Sequence, residues 1–157
     1  NEIYEELCLS SDYKVSLNTI KKGIKIKLDI VREDFTELNK RKLLNFGHTI
    51  GHLIERDSEF KVSHGEAVAI GIYYELLLSK QHMGLPQEVI NSYLEYLEKI
   101  DYNYTYKFSK GKDSIMEALK NDKKSLTDNV DIVLLSGISM PNIINLSFDQ
   151  LFEVIDY

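Results

Sequence analysis

Three of the chain's four histidines stand close together, at His48, His52 and His64. The stretch from Arg41 to Glu55 reads Arg-Lys-Leu-Leu-Asn-Phe-Gly-His-Thr-Ile-Gly-His-Leu-Ile-Glu; a short polar loop follows, then Val-Ser-His-Gly-Glu ending at Glu66. A spacing of four puts His48 and His52 on one helical face, and Arg41 and Asn45 extend that stripe toward the N-terminus. Such a face carries a cation, an amide and two imidazoles where a core helix would carry Leu and Ile. The first chemistry it suits is metal binding. Zinc takes imidazole nitrogen at about 2.0–2.1 Å, and a catalytic site has about three protein ligands and an open position. His48, in mid-helix, and His64, opening the next helix, are the best candidates, because a helix folding back would make their imidazoles converge. No third ligand is evident; His52, Glu55 and Glu66 qualify by proximity alone.

A second chemistry needs no metal. His52 beside Glu37 or Glu55 would form a general acid–base pair, since imidazole titrates near neutrality. Arg41, Lys27 and the Lys123-Lys124 pair would bind a carboxylate or phosphate, Arg in bidentate fashion. The bland readings are a half-buried, hydrogen-bonded histidine and a solvated lysine pair. Clustering weighs against the first; the second is the usual state of lysines in a loop. No phosphate-cradling glycine loop, serine nucleophile elbow or cysteine nucleophile motif is present.

The elements that must position these residues are mostly helices. Asn1–Ser10 has the pattern of a helix tail, and Ser10-Ser11-Asp12 is a polar break. From Val15 to Glu33 the residues Leu17, Ile20, Ile24, Leu28 and Val31 recur at helical spacing. Gly23 within that helix predicts a close packing contact, since glycine otherwise costs about 1 kcal/mol there. Lys21, Lys22, Lys25 and Lys27 read mainly as a solvated face. After a connector over 34–40, one helix is predicted from Arg41 to Arg56. Ser63 and Glu66 have capping-box spacing and predict a helix from His64 to Met83. Its small residues Gly65, Ala67, Ala69 and Gly71 would let another helix come close. Gly84-Leu85-Pro86 ends it and opens a helix over Gln87–Ile100. An irregular aromatic stretch reaches Ser109, a short helix spans Ser114–Leu119, and Val130–Leu135 reads as a strand. Ser147, with Gln150, caps a last helix. The fold class is mainly α, a multi-helix domain with a short β segment near the end.

At 157 residues, 43% hydrophobic and 28% charged, the chain can bury an ordinary core. Its net charge of −6 argues against a broad nucleic-acid surface. The single cysteine excludes an internal disulfide and a cysteine-rich zinc site, and a reducing cytoplasm is the expected compartment. No signal peptide or apolar run of membrane-spanning length appears, so no membrane partner is expected. The chain starts at Asn1 in helix-like sequence, which reads as a piece of a longer polypeptide.

At these residues the chain resembles the C-terminal domain of 3-dehydroquinate synthase. The family's signature Asn-x-Gly-His-Thr-x-Gly-His-x-x-Glu falls on Asn45, Gly47, His48, Thr49, Gly51, His52 and Glu55. Its His-Gly-Glu-Ala-Val-Ala segment falls on His64 to Ala69. Its lysine, aspartate, glutamate and arginine fall on Lys27, Asp34, Glu37 and Arg41, and its Asp-Lys-Lys on Asp122, Lys123 and Lys124. Two departures lie in the connector: Phe35 follows Asp34 where a glutamate is common, and Asn39 stands where glycine is common. The resemblance implies a dehydroquinate synthase-like fold, with residues 1–157 as one helical metal- and substrate-binding domain. It also implies that an N-terminal, Rossmann-like half binding NAD and supplying a third metal ligand is absent from these residues.

The implied reaction converts 3-deoxy-D-arabino-heptulosonate 7-phosphate to 3-dehydroquinate and phosphate, the second step of the shikimate pathway. It uses NAD and a divalent metal, zinc or cobalt. The resemblance assigns His48 and His64 to the metal, and Glu37 and His52 to proton transfer. It assigns Lys27, Arg41, Asn45 and one lysine of the pair, Lys124 in preference to Lys123, to the anionic substrate. It implies a homodimer for the full-length protein and an isolated fragment without activity. Two other readings remain: a related sugar-phosphate cyclase or metal-dependent polyol dehydrogenase, and a non-catalytic helical domain that binds metal.

Overall fold

The computed structural model of the chain describes residues 2–9, 15–38, 40–112, 114–117 and 128–155. A helical turn at Glu2–Tyr4 continues as a π-helix over Glu5–Leu9. Helix α1 spans Leu17–Glu33 and starts where the Ser16 hydroxyl accepts the Thr19 N–H. A 3-10 helix follows over Lys40–Asn45, then α2 over His48–Asp57, α3 over His64–Met83 and α4 over Gln87–Lys99. Strands β1 (Asn129–Gly137) and β2 (Met140–Ser147) form an antiparallel hairpin with Val130 opposite Leu146 and Ile132 opposite Ile144. A short α5, Phe148–Leu151, closes the order with a 3-10 turn over Phe152–Val154. The mainly α expectation with β near the end holds.

Helix α3 is the spine. Ser63 accepts the Glu66 N–H while Glu66 accepts the Ser63 N–H, so the expected capping box starts the helix. Gly84, at φ 70°, ends it in the left-handed region as a C-cap. Between these ends α3 buries Ala67, Ile70, Tyr74 and Leu78 against Ile50, Leu53 and Ile54 of α2 and Val130, Ile132 and Leu134 of β1. The hairpin is tied to α3 by Ser79, fully buried, whose hydroxyl accepts the Leu135 N–H at 2.9 Å. The Ser147–Gln150 capping box also forms as expected and turns the chain into α5.

Helices α2 and α3 approach through their glycines. A Cβ on Gly71 would sit 2.0 Å from the Gly47 carbonyl oxygen, and one on Gly51 would sit 3.2 Å from the Ala67 carbonyl oxygen. Gly71 has no room for a methyl group, and at Gly51 one would be tight against the α3 backbone. The small residues of early α3 thus act at Ala67 and Gly71. A Cβ on Gly65 would meet nothing nearer than the Tyr102 hydroxyl at 3.9 Å.

Several expectations fail. The helix predicted from Arg41 to Arg56 is broken at Phe46-Gly47. Gly47 takes φ 81°, and its N–H is accepted by the fully buried Glu75 carboxylate at 2.6 Å. That bond holds the left-handed turn, so Arg41 and Asn45 belong to a 3-10 helix and His48 is the first residue of α2, not a mid-helix residue. Gly23 is not a packing contact among the described residues, where a Cβ there would meet nothing within 4 Å. The amphipathic helix α1 forms as expected, but among the described residues most of its apolar stripe is uncovered: Leu17, Ile20, Ile24 and Leu28 are 47–68% exposed, and Val31 is half-buried. Strand β2 is absent from the sequence-based expectation, since Pro141 and two asparagines obscure its alternation. Of the helix expected at Ser114–Leu119, Ser114–Glu117 is helical and the rest lies outside the described residues.

Candidate metal centre

Two helix starts build the site. His48 opens α2 and His64 opens α3, and the glycine-mediated contact of the two helices brings these ends together. The ring centroids of His48 and His64 are 5.3 Å apart, those of His48 and His52 5.7 Å, and those of His52 and His64 6.1 Å. Nδ1 of His48 lies 3.2 Å from the Phe46 carbonyl oxygen. A neutral imidazole there donates its Nδ1–H to that oxygen and keeps the Nε2 lone pair for another partner. Nδ1 of His64 lies 3.1 Å from Glu55 Oε1, with the same consequence for its Nε2. Ligand atoms of His52, Glu55 and His64 all lie within 4.8 Å of one another. Two ligands of a tetrahedral zinc stand about 3.3 Å apart, and His48 is not a member of this group, its ring meeting that of His64 at 5.3 Å.

Glu66 is taken up otherwise. Its Oε2 accepts both the Ser63 N–H at 3.0 Å and the Ser63 hydroxyl at 2.5 Å, and these bonds hold its carboxyl below the usual range. It is a helix cap rather than a member of the cluster.

A second group lies before α2. The Asp34 carboxylate accepts the Leu38 N–H and the Arg41 N–H, each at 3.0 Å, and so closes the connector into a turn. Within that turn Glu37 sits at φ 58°, a left-handed conformation uncommon for a residue with a side chain. Its Oε1 accepts from Asn45 Nδ2 at 3.1 Å and its Oε2 stands 3.6 Å from Arg41 Nε. Arg41 also donates through Nη1 to the Phe35 carbonyl at 2.9 Å. Glu37, Arg41 and Asn45 thus form one cluster, joined to His48 by the Phe46-Gly47 turn. Lys27 is exposed on α1. Lys123 and Lys124 lie outside the described residues.

The far end of α2 shows what a structural carboxylate looks like here. Asp57 is buried and accepts the Tyr106 hydroxyl at 2.8 Å, the Ser109 N–H at 2.8 Å, the Ser109 hydroxyl at 3.0 Å and the Lys110 N–H at 3.2 Å. Burial alone would raise its pKa; the four donors outweigh it and the net shift is downward. Burial, then the bond to Asp57, pushes the Tyr106 hydroxyl up to about 12.

A profile of the 3-dehydroquinate synthase C-terminal domain matches residues 2–125. The chain belongs to the 3-dehydroquinate synthase C-terminal family. The 3-dehydroquinate synthase of Listeria monocytogenes is 37% identical over 135 residues, 85% of this chain and 37% of that protein. The one from Lysinibacillus sphaericus is 38% identical over 136 residues, 86% of this chain and 38% of that protein. The chain therefore spans little more than a third of the length of these relatives. Among solved structures, a 2-deoxy-scyllo-inosose synthase complexed with carbaglucose-6-phosphate, NAD+ and Co2+ superposes with a TM-score of 0.74 at 28% identity, over 87% of this chain and 40% of that one. A 2-epi-5-epi-valiolone synthase from Streptomyces hygroscopicus, with NAD+ and Zn2+ bound, shares the fold at a TM-score of 0.74 and 19% identity.

For a member of this family, the donor set fits a divalent cation. Three imidazoles converge, and two of them have Nδ1 tied off by an oxygen, the arrangement that leaves Nε2 to a metal. Sequence reasoning missed Glu75 and the Phe46 carbonyl. A lone glutamate in the apolar run Ile72-Tyr-Tyr-Glu-Leu-Leu-Leu78 was a legible sign of a buried polar role.

Proposed function

We propose that the polypeptide carrying this chain is a 3-dehydroquinate synthase, converting 3-deoxy-D-arabino-heptulosonate 7-phosphate to 3-dehydroquinate and phosphate. This chain supplies its metal- and substrate-binding part. The observation that carries the reading is the convergence of His48 and His64, both with Nδ1 bound to oxygen, beside a pre-assembled Glu37–Arg41–Asn45 cluster. His48 and His64 would hold a divalent cation, zinc or cobalt, with a further ligand from outside these residues. Such an ion, when bound, withdraws charge from a hydroxyl oxygen and favours its ionisation.

The remaining work falls to side chains. Arg41 presents a planar fork suited to a carboxylate or phosphate, and its contacts to Glu37 and the Phe35 carbonyl fix its direction. Asn45 holds Glu37 through Nδ2, leaving its own carbonyl oxygen to accept from a substrate hydroxyl. Glu37 and His52 exchange protons with the substrate, at a carboxylate oxygen and a ring nitrogen. Lys27 and Lys124, in preference to Lys123, add positive charge for the phosphate. NAD would be held mainly by polypeptide outside these residues, and 1–157 alone would be inactive. The enzyme would work in the cytoplasm as a homodimer. Among the described residues no helix is long and apolar enough to cross a membrane.

A related sugar-phosphate cyclase is the second reading, favoured by the structural neighbour complexed with a carba-sugar phosphate. Phosphate release by the full polypeptide separates the two. Release from the heptulosonate phosphate that needs NAD and stops with chelator supports the synthase. Turnover of glucose 6-phosphate instead, with none of the heptulosonate phosphate, overturns it.

A further inference from the structure

We propose that Glu55 is the positioning residue of His64: its carboxylate accepts the Nδ1–H and so holds the ring with Nε2 turned to the metal. The inference rests on the metal-site part of the proposed function. The bond is 3.1 Å long, between Oε1 and Nδ1. The two side chains are unequally placed, Glu55 14% exposed and His64 58% exposed. A solvated imidazole on the first residue of a helix has little to hold it, whereas Glu55 projects from a helix held on both sides of it. Ile54, next to it, is fully buried, and Asp57, two residues on, is locked by its four donors. The better-buried partner therefore sets the direction of the more exposed one.

The arrangement also pairs the two metal candidates. His48 has Nδ1 on a backbone carbonyl oxygen, at 3.2 Å, and His64 has Nδ1 on a carboxylate. In both, the oxygen on Nδ1 fixes the ring orientation and leaves Nε2 to the metal. The rival role for Glu55 is direct ligation, since its oxygen lies within 4.8 Å of ligand atoms of His52 and His64. The hydrogen bond between His64 Nδ1 and Glu55 Oε1 favours the positioning role, and the cobalt spectrum below separates the two.

The test uses the full polypeptide and needs neither NAD nor substrate, so it stands or falls separately from the reaction. Imidazole nitrogen NMR of the metal-free protein should show His64 as the Nδ1–H tautomer. Glu55→Ala should convert it to the Nε2–H form and weaken zinc binding, read by chelator competition, about 10–100-fold. Glu55→Gln, whose amide oxygen still accepts the N–H, should keep the tautomer and lose less affinity. The visible spectrum of the cobalt-loaded protein should be the same for wild type and Glu55→Gln. An Nε2–H tautomer in the wild type overturns the inference. So does Glu55→Ala with unchanged zinc affinity, or a Glu55→Gln cobalt spectrum that reports a lost ligand. A protein with the expected tautomer shift but no phosphate release keeps the inference and drops the synthase reading.

Discussion

Helix α1 and helix α2 carry the same kind of signal and meet opposite fates. Each repeats apolar residues at three and four. On α2 the stripe of Ile50, Leu53 and Ile54 is 0–4% exposed, pressed against α3; on α1, Leu17, Ile20, Ile24 and Leu28 are 47–68% exposed. The glycines follow the same division. Gly71 of α3 has a carbonyl oxygen where its Cβ would be, and Gly23 of α1 has empty space. Periodicity states which face of a helix is apolar; it does not state what, if anything, covers that face.

Substitutions sharpen this contrast. The largest effect belongs to Gly71→Ala, which puts a methyl group 2.0 Å from the Gly47 carbonyl oxygen and forces α2 and α3 apart. A loss of about 3 kcal/mol or more in denaturant unfolding is expected. A loss under about 1 kcal/mol would mean the helices are not in glycine contact.

Asp57→Asn comes next, at about 2 kcal/mol, because one acceptor oxygen and an added NH2 face donors that a carboxylate had satisfied. The pH dependence has a definite sign. The folded-state pKa of Asp57 lies below its unfolded value of about 3.9, so its stabilisation is complete above that value and is lost as pH falls through the folded pKa. Urea midpoints followed from about pH 5 to pH 2 should fall less steeply for Asp57→Asn than for the wild type. Equal slopes would show that the four donors do not hold the charged form.

Gly23→Ala should stabilise the chain, by about 0.5–1 kcal/mol, through the lower helix cost of alanine with no steric opposition. Destabilisation would reveal a contact at α1. The smallest effect is Ile24→Ser, within about 0.5 kcal/mol in this chain because Ile24 is already 54% exposed. A cost above about 2 kcal/mol would place Ile24 in a core and erase the difference between the two helices.

The site shows a similar division. The spacing of His48 and His52, and the Ser63–Glu66 box that sets the start of α3, were readable because they are contacts three or four residues apart. The grouping of Glu37, Arg41 and Asn45 was readable by resemblance, though on a different backbone. The stripe reading placed Arg41, Asn45 and His48 on one α-helix, and the Phe46-Gly47 break divides them. Glycine permits that break, but the fully buried Glu75, 28 residues on, is what holds it. Likewise Glu55 could be paired on paper with His52, its neighbour on the helix; the fold-back of α3 is what gives it His64.

The amino-acid sequence by itself determined the helix ends at Ser63, Gly84 and Ser147, the three clustered histidines, and the family. These rest on side-chain to backbone bonds within a turn, or on residue identity. Only the tertiary structure decided that no described residue covers most of the α1 stripe, that His48 opens its helix, and that Glu55 reaches His64. Each of those depends on which residues distant in the chain fill the space alongside, and that follows from how closely α2 and α3 can pack at Gly47, Gly51 and Gly71.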